Sequence, residues 1–118
     1  MRYMMLIYSS DGELSAEEDA RIRMAHRSVM TEAREKGVLV GAEPLAAVTT
    51  ATTVRMRDGK ALVTDGPFAE TKEQLAGYYI IDCTGLDDAK QWAAKIPTSC
   101  YGGSGCIEIR QLRGMSNR

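Results

Sequence analysis

Two stretches of the chain are apolar at odd and even positions alike, Tyr3–Tyr8 and Gly77–Cys83. An apolar run without alternation is typical of a strand that is covered on both faces of its sheet. The first run is followed by Ser9-Ser10-Asp11-Gly12, whose residue types favour a turn. The pattern therefore predicts two buried strands that are far apart in the chain.

A helical pattern begins at Ser15, with apolar residues recurring about every 3.6 positions as far as Lys36. Ser15 and Glu18 have the spacing of a capping box, in which the two side chains accept hydrogen bonds from free backbone N–H groups, and Gly37 ends the pattern. The predicted inward face consists of Ile22, Ala25, His26, Val29 and Ala33, and the outward face of Arg23, Arg27, Thr31 and Arg34. His26 is therefore expected to point toward the sheet.

A second helical pattern follows the second apolar run and continues through Ile96, where Pro97 ends it. Thr84 and Asp87 are predicted to cap its first turn. Its predicted apolar face consists of Leu86, Ala89, Ala93 and Ile96. This helix is expected to pack on the sheet through that face.

Alternating residues on either side of Asp58-Gly59 predict a β-hairpin of Thr53–Arg57 and Lys60–Thr64. An Asp-Gly loop of two residues favours a hairpin because both turn positions need a positive φ. The expected cross-strand pairs are Met56 with Ala61 and Val54 with Val63.

Two shorter strands complete the predicted set, Val38–Ala42 and Ile107–Leu112, and the glycine-rich segment Ser99–Gly105 before the last strand is expected to be a loop. The order of elements is strand, helix, strand, hairpin, strand, helix, strand. It predicts an α+β fold of the ferredoxin-like βαβ-βαβ type with an inserted β-hairpin. Right-handed connections would place both helices on one face of the sheet.

The opposite face of that sheet is also expected to be apolar, because the two buried strands have apolar residues on both sides, and the sequence predicts no third helix to cover it. A second copy of the sheet is the simplest cover. The sequence therefore predicts a homodimer in which two sheets pack face to face.

Composition narrows the classes of function. A chain of 118 residues fits one domain, 1–118, and its formal net charge of -1 supplies no overall field that would attract nucleic acid or an anionic membrane. No apolar run approaches the roughly 20 residues that span a bilayer, and the apolar N-terminal stretch is too short for a secretion signal. We expect a cytoplasmic protein that binds neither nucleic acid directly nor a membrane.

The residues suited to cofactors are few. Three cysteines, Cys83, Cys100 and Cys106, lack the paired spacing of a zinc site or a redox dithiol, and the chain has one histidine. The thiols are interpreted as reduced packing residues, the alternative being a functional thiol. The Gly102-Gly103-Ser104-Gly105 segment lacks the lysine and helix of a phosphate loop. No metal and no other cofactor are therefore expected.

The turn Asp65-Gly66-Pro67-Phe68 admits a structural and a functional interpretation. Asp65 can cap its own turn, while glycine supplies an unusual φ and proline fixes the exit. A functional site is favoured by the charged and polar residues that follow directly, Glu70, Thr71, Lys72 and Glu73. Loops held by a rigid scaffold are common places for binding and catalysis.

Several other side chains have the same two interpretations. His26 is either a core histidine with a hydrogen-bond partner or a general base, and Lys72 is either a solvated charge or the cation that neutralises an anionic substrate. Phe68 is interpreted as an anchor that pins its loop to the core, with stacking on a ligand as the alternative. Strand and loop tyrosines can line a cleft or simply pack, and they are Tyr78, Tyr79 and Tyr101.

Three segments together, RYMMLIY, GVLVGAEPL and LVTDGPFAETKEQLAGYYIID, resemble the YCII-related family, in its branch named for the DGPF motif. The resemblance implies a dimeric α+β barrel of ferredoxin-like subunits in a small bacterial protein. It also implies a functional link to extracytoplasmic-function sigma factors, beside whose genes such proteins are often encoded. A ligand pocket near the DGPF loop is implied as well, formed by Gly66, Pro67, Phe68, Glu70, Lys72 and Tyr79.

A His/Asp pair has been proposed as the active site of YCII relatives, and the matching residues here are His26 and Asp65. Two hypotheses follow. The first is a cofactor-independent lyase or isomerase that acts on a small organic acid, with His26 as base and Asp65 as its orienting partner. The second is a non-catalytic accessory or regulatory protein associated with a sigma factor.

Overall fold

The computed structural model describes residues 1–10, 15–98 and 105–114. Its strands are β1 (Arg2–Ser10), β2 (Leu39–Pro44), β3 (Thr52–Arg57), β4 (Lys60–Asp65), β5 (Glu73–Asp82) and β6 (Gly105–Gln111). Its helices are α1 (Ala16–Glu35) and α2 (Leu86–Lys95), with a short 3-10 turn at Val48–Thr50. The predicted loop Ser99–Gly105, including Cys100 and Tyr101, lies outside the described residues up to position 104, as do Asp11 and Gly12.

The strands form a four-stranded antiparallel sheet in the order β2-β5-β1-β6 and a separate two-stranded sheet of β3 and β4. The order follows from two split βαβ units, since α1 connects β1 to β2 and α2 connects β5 to β6, leaving one strand between each pair. The predicted α+β fold of the ferredoxin-like type with an inserted hairpin is confirmed.

The core lies between one face of the larger sheet and the two helices. Alternation along β1 and β5 places every second residue on this face, and the helices contribute their buried positions. The buried apolar residues are Tyr3, Met5, Ile7, Val29, Ala33, Tyr79, Ile81, Cys83, Ala89, Trp92 and Ile96.

The opposite face of the larger sheet, called here the open face, is partly exposed. The register places five rows of residues on this face, which cross β1 and β5 and continue in part onto β6 and β2. Its apolar residues are Met4, Leu6, Tyr8, Leu75, Tyr78 and Ile80. None of these six side chains is fully buried by the described part of the chain.

Helix α1 begins as the sequence predicts, because the Ser15 hydroxyl accepts a hydrogen bond from the Glu18 N–H at 3.1 Å and the Glu18 carboxylate accepts one from the Ser15 N–H at 3.2 Å. Its buried residues are confined to the second half of the helix, at Val29 and Ala33. Ala25 was expected on the inward face but is exposed, because the core lies beneath the later turns. Neither helix in the described residues combines the length and apolar character needed to cross a membrane.

The start of α2 differs from the prediction. Gly85 is the N-cap residue and no side chain caps the helix. Thr84 instead donates hydrogen bonds from its N–H and hydroxyl to the Asp88 carboxylate, at 3.1 and 3.3 Å. Leu86 is exposed and Trp92 is buried in its place, because the first turn of the helix extends beyond the core.

The hairpin has the predicted register, with Val54 opposite Val63 and Met56 opposite Ala61. Asp58 and Gly59 have φ values of 54° and 76°, so both turn positions are left-handed as expected. Strand β5 begins at Glu73, earlier than predicted, because Glu73–Leu75 pair with the end of β1 after a bulge. For the same reason Ser9 and Ser10 belong to β1 and not to a turn.

Candidate functional site

A cavity of about 300 Å³ lies between α1 and the edge of the larger sheet where β2 pairs with β5. Its apolar wall includes Ile7, Met30, Ala42, Pro44 and Ala76. Its polar and charged lining residues are Arg23, His26, Arg27, Glu43, Tyr78 and Tyr79. Apolar walls with a few polar groups are characteristic of small-molecule sites.

His26 and Tyr79 meet in the wall of this cavity. His26 Nδ1 lies 2.8 Å from the Tyr79 hydroxyl, and the ring centroids are 5.9 Å apart with the ring planes at 29°. The same hydroxyl lies 3.4 Å from the His26 carbonyl oxygen. The helical period turns His26 toward the sheet, as expected, and the alternation of β5 turns Tyr79 toward α1.

Burial determines the charge state of both side chains. It lowers the pKa of His26 below its ordinary value of 6.5 and raises the pKa of Tyr79 to about 12. The imidazole is therefore neutral near neutral pH, and the tyrosine remains a phenol that can donate a hydrogen bond. A neutral imidazole beside a small cavity can accept a proton.

Two arginines give the cavity positive charge. Arg23 Nε donates a hydrogen bond to Asp19 Oδ2 at 2.9 Å, one turn earlier on α1. Arg27 has no ion pair with the described residues. Its guanidinium is therefore available to pair with an anionic group in the cavity. Glu43 on β2 borders the cavity at the edge of the sheet, and the register places its side chain on the open face beside Tyr78.

Gly77 allows the two strands at the cavity to approach closely. It pairs with Pro44, and a Cβ at this position would lie 2.9 Å from the Glu43 carbonyl oxygen and 3.3 Å from Pro44 Cα. These neighbours are backbone atoms that cannot move independently of the sheet. Gly77 is therefore required for the pairing of β2 with β5 beside His26.

The DGPF turn lies at the end of the hairpin. Asp65 is exposed and lies opposite Thr52, and Gly66 has a φ of 100°. The Gly66 N–H donates to the Ala51 carbonyl at 2.7 Å, and the Gly66 carbonyl accepts a hydrogen bond from the Thr53 hydroxyl at 2.8 Å. The turn is thus held by backbone contacts and Thr53, and the described residues show no hydrogen bond to the Asp65 carboxylate.

The sequence-predicted site residues fall in two places. His26 and Tyr79 come together, whereas the cavity lining does not include Asp65, Gly66, Pro67, Phe68, Glu70 or Lys72. Asp65, Glu70 and Lys72 are exposed, and Phe68 is 78% exposed. Phe68 is therefore not an anchor to the core, which corrects the prediction. The loop is pinned by Gln74 Nε2, which donates to the Ala69 and Thr71 carbonyls at 3.2 and 3.0 Å.

The sequence did not single out Arg23, Arg27 and Glu43 as site residues. Helical spacing put both arginines on the outward face, but the cavity opens at the flank of α1, where long side chains from that face can reach it. The sequence marked Glu43 only through its place in GVLVGAEPL, one of the segments that resemble the YCII-related family. Of these three, Arg27 was the easiest to find, because it adjoins His26 in the sequence.

The remaining candidate chemistry is limited. Burial raises the pKa of the Cys83 thiol, and desolvation, followed by a hydrogen bond to Glu73, raises the pKa of the Cys106 thiol. Cys83 is a packing residue as expected, whereas Cys106 is exposed. Among the residues that the structure describes, no group of three or more His, Cys, Asp or Glu side chains is arranged to hold a metal ion.

Comparison with known proteins identifies the family of this chain. The family described as "YCII-related domain" matches residues 1–116. A protein of Rhizobium meliloti (strain 1021), "Uncharacterized protein R00369", is 39% identical over 115 residues, which cover 95% of this chain and 92% of that protein. This chain belongs to the YCII-related domain family.

Proposed function

We propose that this protein binds a small organic acid in the cavity beside His26 and Tyr79, and moves a proton on that acid as a cofactor-independent lyase or isomerase. The observation that carries the proposal is the 2.8 Å contact between His26 Nδ1 and the Tyr79 hydroxyl in the cavity wall. It fixes the imidazole ring at a place that a small ligand can reach. A general base needs such orientation as well as a suitable pKa.

The Tyr79 hydroxyl has a single proton, which permits two arrangements. In the first, the hydroxyl donates to the His26 carbonyl and accepts from Nδ1–H, so that Nε2 has a free lone pair and acts as a base. In the second, the hydroxyl donates to Nδ1 and Nε2 carries the proton, so that Nε2 acts as a hydrogen-bond donor. Tyr79 holds the ring in both arrangements, as a proton relay through Nε2 requires.

Arg27 supports the choice of an anionic substrate. It lines the same cavity as His26, and no described residue neutralises it through an ion pair. A guanidinium binds a carboxylate through two parallel hydrogen bonds, which would fix the orientation of the acid. The apolar wall then contacts the remaining part of a small ligand.

Proton exchange tests this proposal directly. The protein is incubated in D2O with a panel of small 2-oxo acids, and loss of the proton next to the carbonyl is followed by NMR. We expect exchange with at least one acid, strong loss in His26→Asn, partial loss in Tyr79→Phe, and weaker binding in Arg27→Gln. Because burial lowers the pKa of His26, the rate should begin to fall only below pH 6.5. Equal exchange by the parent protein and His26→Asn would refute the role of His26.

As an alternative to Tyr79, Asp65 is proposed as the orienting partner of His26. This rests on the resemblance to YCII relatives, which also supports membership of the DGPF branch. In this proposal the residues near it, including Phe68 and Lys72, contribute a second wall to the ligand site. If the two residues act as one unit, His26→Asn and Asp65→Asn should be equally inactive and the double variant no worse. Full activity in Asp65→Asn would remove Asp65 from the mechanism.

The alternative function is that of a non-catalytic accessory protein linked to a sigma factor. It is preferred if the parent protein neither exchanges protons nor binds benzoate, a probe that combines a carboxylate with an apolar ring. The single histidine of the chain makes this simple to measure, because benzoate in the cavity should shift one unambiguous imidazole resonance.

We also propose that the protein is a homodimer of the α+β barrel type, in which the open faces of two copies pack together. Support comes from the central residues of that face, Met4, Leu6, Tyr78 and Ile80, which are apolar yet only partly buried. Sedimentation at micromolar concentration should give about twice the chain mass of 12.9 kDa. A monomer at that concentration would exclude the arrangement.

A further inference from the structure

The hairpin of β3 and β4 with its turn, residues 52–65 and called here the arm, forms a sheet of its own. Almost all of its residues are exposed. The exposed fractions are 59% for Val54, 68% for Met56 and 62% for Val63. Large apolar side chains exposed together on a protruding element indicate a contact with a partner.

The arm has two different faces, because residues that lie directly opposite each other across the strands share a face. The apolar face contains Val54, Met56, Ala61 and Val63, with Thr52 and Asp65 at the base of the arm. The other face contains Arg55, Arg57, Lys60 and Leu62, with Thr53 and Thr64 at the base. The turn adds Asp58, so the exposed charges of the arm are three basic and two acidic, and the basic ones are all on the other face.

A two-stranded hairpin is only marginally stable in water unless its apolar face is packed against something. Within the described residues, no side chain of the same chain covers this face, since every residue of β4 is exposed. The Asp-Gly turn sets the register locally. A stable hairpin needs in addition a partner that covers its apolar face.

The open face of the larger sheet has a region that matches the arm in polarity and charge. The apolar residues Tyr8 and Leu75 lie side by side at one end of this face. Three carboxylates lie in the neighbouring positions of this face. Glu108 pairs with Leu6, Glu43 pairs with Tyr78, and the Glu73 carboxylate accepts a hydrogen bond from the Cys106 thiol. No arginine or lysine of the described residues lies in the rows of Leu6, Tyr8 and Ser10. Arg2 and Arg110 lie at the other end of the face. We call this region the acidic end.

We propose that the apolar face of the arm packs on the acidic end of the open face of a second copy of the chain, a contact that rests on the proposed homodimer. Two-fold symmetry repeats the contact, so each copy covers the exposed arm of the other. The arm's basic residues are on its outer face, and they act on the three carboxylates through the electrostatic field at distances within roughly 10 Å.

A matched pair of variants tests the contact. Met56→Ser changes the apolar face and Leu62→Ser changes the outer face, and both side chains are exposed in the single chain, so neither substitution disturbs the core. We expect Met56→Ser to raise the Kd of the dimer about tenfold or more, because it removes a buried apolar side chain from both symmetric copies of the contact. Leu62→Ser should leave the Kd within about twofold, as its side chain remains in solvent. Sedimentation equilibrium over a range of concentrations measures both.

Charge reversal tests the choice of the acidic end. Glu73→Lys with Glu108→Lys should weaken the dimer, and adding Arg55→Glu with Arg57→Glu should restore part of the loss. No restoration would place the arm elsewhere and overturn the assignment. Ile80→Lys, at the centre of the open face, serves as the control for the dimer itself. A dimer that is lost in Ile80→Lys but unchanged in Met56→Ser would overturn the arm contact and leave the homodimer standing, and a monomeric parent protein would overturn both.

Discussion

Among single residues, Gly66 and Gly77 respond to different constraints. Gly66 has a φ of 100° and open space where its Cβ would be, so Gly66→Ala meets backbone strain alone and should lower the free energy of unfolding by about 1 kcal/mol or more. Gly77→Ala places its Cβ 2.9 Å from the Glu43 carbonyl oxygen. It should lower the free energy of unfolding by more than Gly66→Ala does, because β2 must move away from β5. Urea denaturation measures both. Equal stability of Gly66→Ala and the parent would contradict the strain argument.

The same residues show what a sequence can predict at this scale. An Asp-Gly-Pro turn predicts the special φ of Gly66, because the constraint is local. The pairing of His26 with Tyr79 joins positions 53 residues apart in the chain, and only the tertiary fold brings them together. Phe68 illustrates the opposite error, since its apolar side chain predicts burial but is exposed. Single exposed apolar residues are common on protein surfaces, so residue type alone does not predict burial at one position.

At the scale of elements, one carboxylate connects the two helices. Glu32 on α1 accepts hydrogen bonds from Lys36 Nζ at 3.0 Å and Lys95 Nζ at 2.6 Å, and Lys95 belongs to α2. The two ammonium groups lie 5.6 and 4.5 Å from the centre of the Trp92 ring. The hydrogen bonds from Lys95 and then Lys36 lower the pKa of Glu32. The cluster therefore fixes α1 against α2 through charge as well as packing.

We expect this contribution to be full above the ordinary Glu32 pKa of 4.5, and to disappear as the pH falls through the lowered pKa of the folded protein. Thermal melting between pH 7 and pH 3 should show a smaller loss of stability in Glu32→Gln than in the parent protein, because the variant has no carboxylate to protonate. The effect should be small and should shrink in high salt, since the groups are exposed. Identical pH dependence in the two proteins would show that the cluster adds nothing.

The elements themselves are largely predictable from sequence, with errors at their ends. The capping box of α1 and the Asp-Gly hairpin are local signals and both are confirmed. The start of α2 is not, because Thr84 has two acidic residues within reach and its hydroxyl bonds to Asp88. The early start of β5 depends on pairing with the end of β1, which is a tertiary contact that the polar sequence of Glu73 and Gln74 conceals.

At the scale of the whole molecule, the flat shape of the chain leaves much of its surface outside the core. The extents are 47 × 46 × 19 Å, which gives the described chain a large surface area relative to the volume of its core. The sequence predicts an apolar open face, because β1 and β5 lack alternation, and this inference needs no tertiary information. It does not predict that the hairpin stays uncovered, because alternation within a hairpin indicates a packed face without showing what packs on it.

The final prediction concerns stability and concentration. If the open face and the arm are covered by a second copy, dimer formation adds to the stability of each folded chain, and the midpoint of thermal unfolding must rise with protein concentration. We expect a rise of several degrees between about 1 and 100 μM for the parent protein, measured by calorimetry, since a domain of this size gains roughly 4 °C or more for each kcal/mol. Ile80→Lys should melt at a lower temperature that does not depend on concentration. If the melting temperature of the parent protein is the same at both concentrations, association does not stabilise it. The single chain is then stable with its open face exposed to solvent.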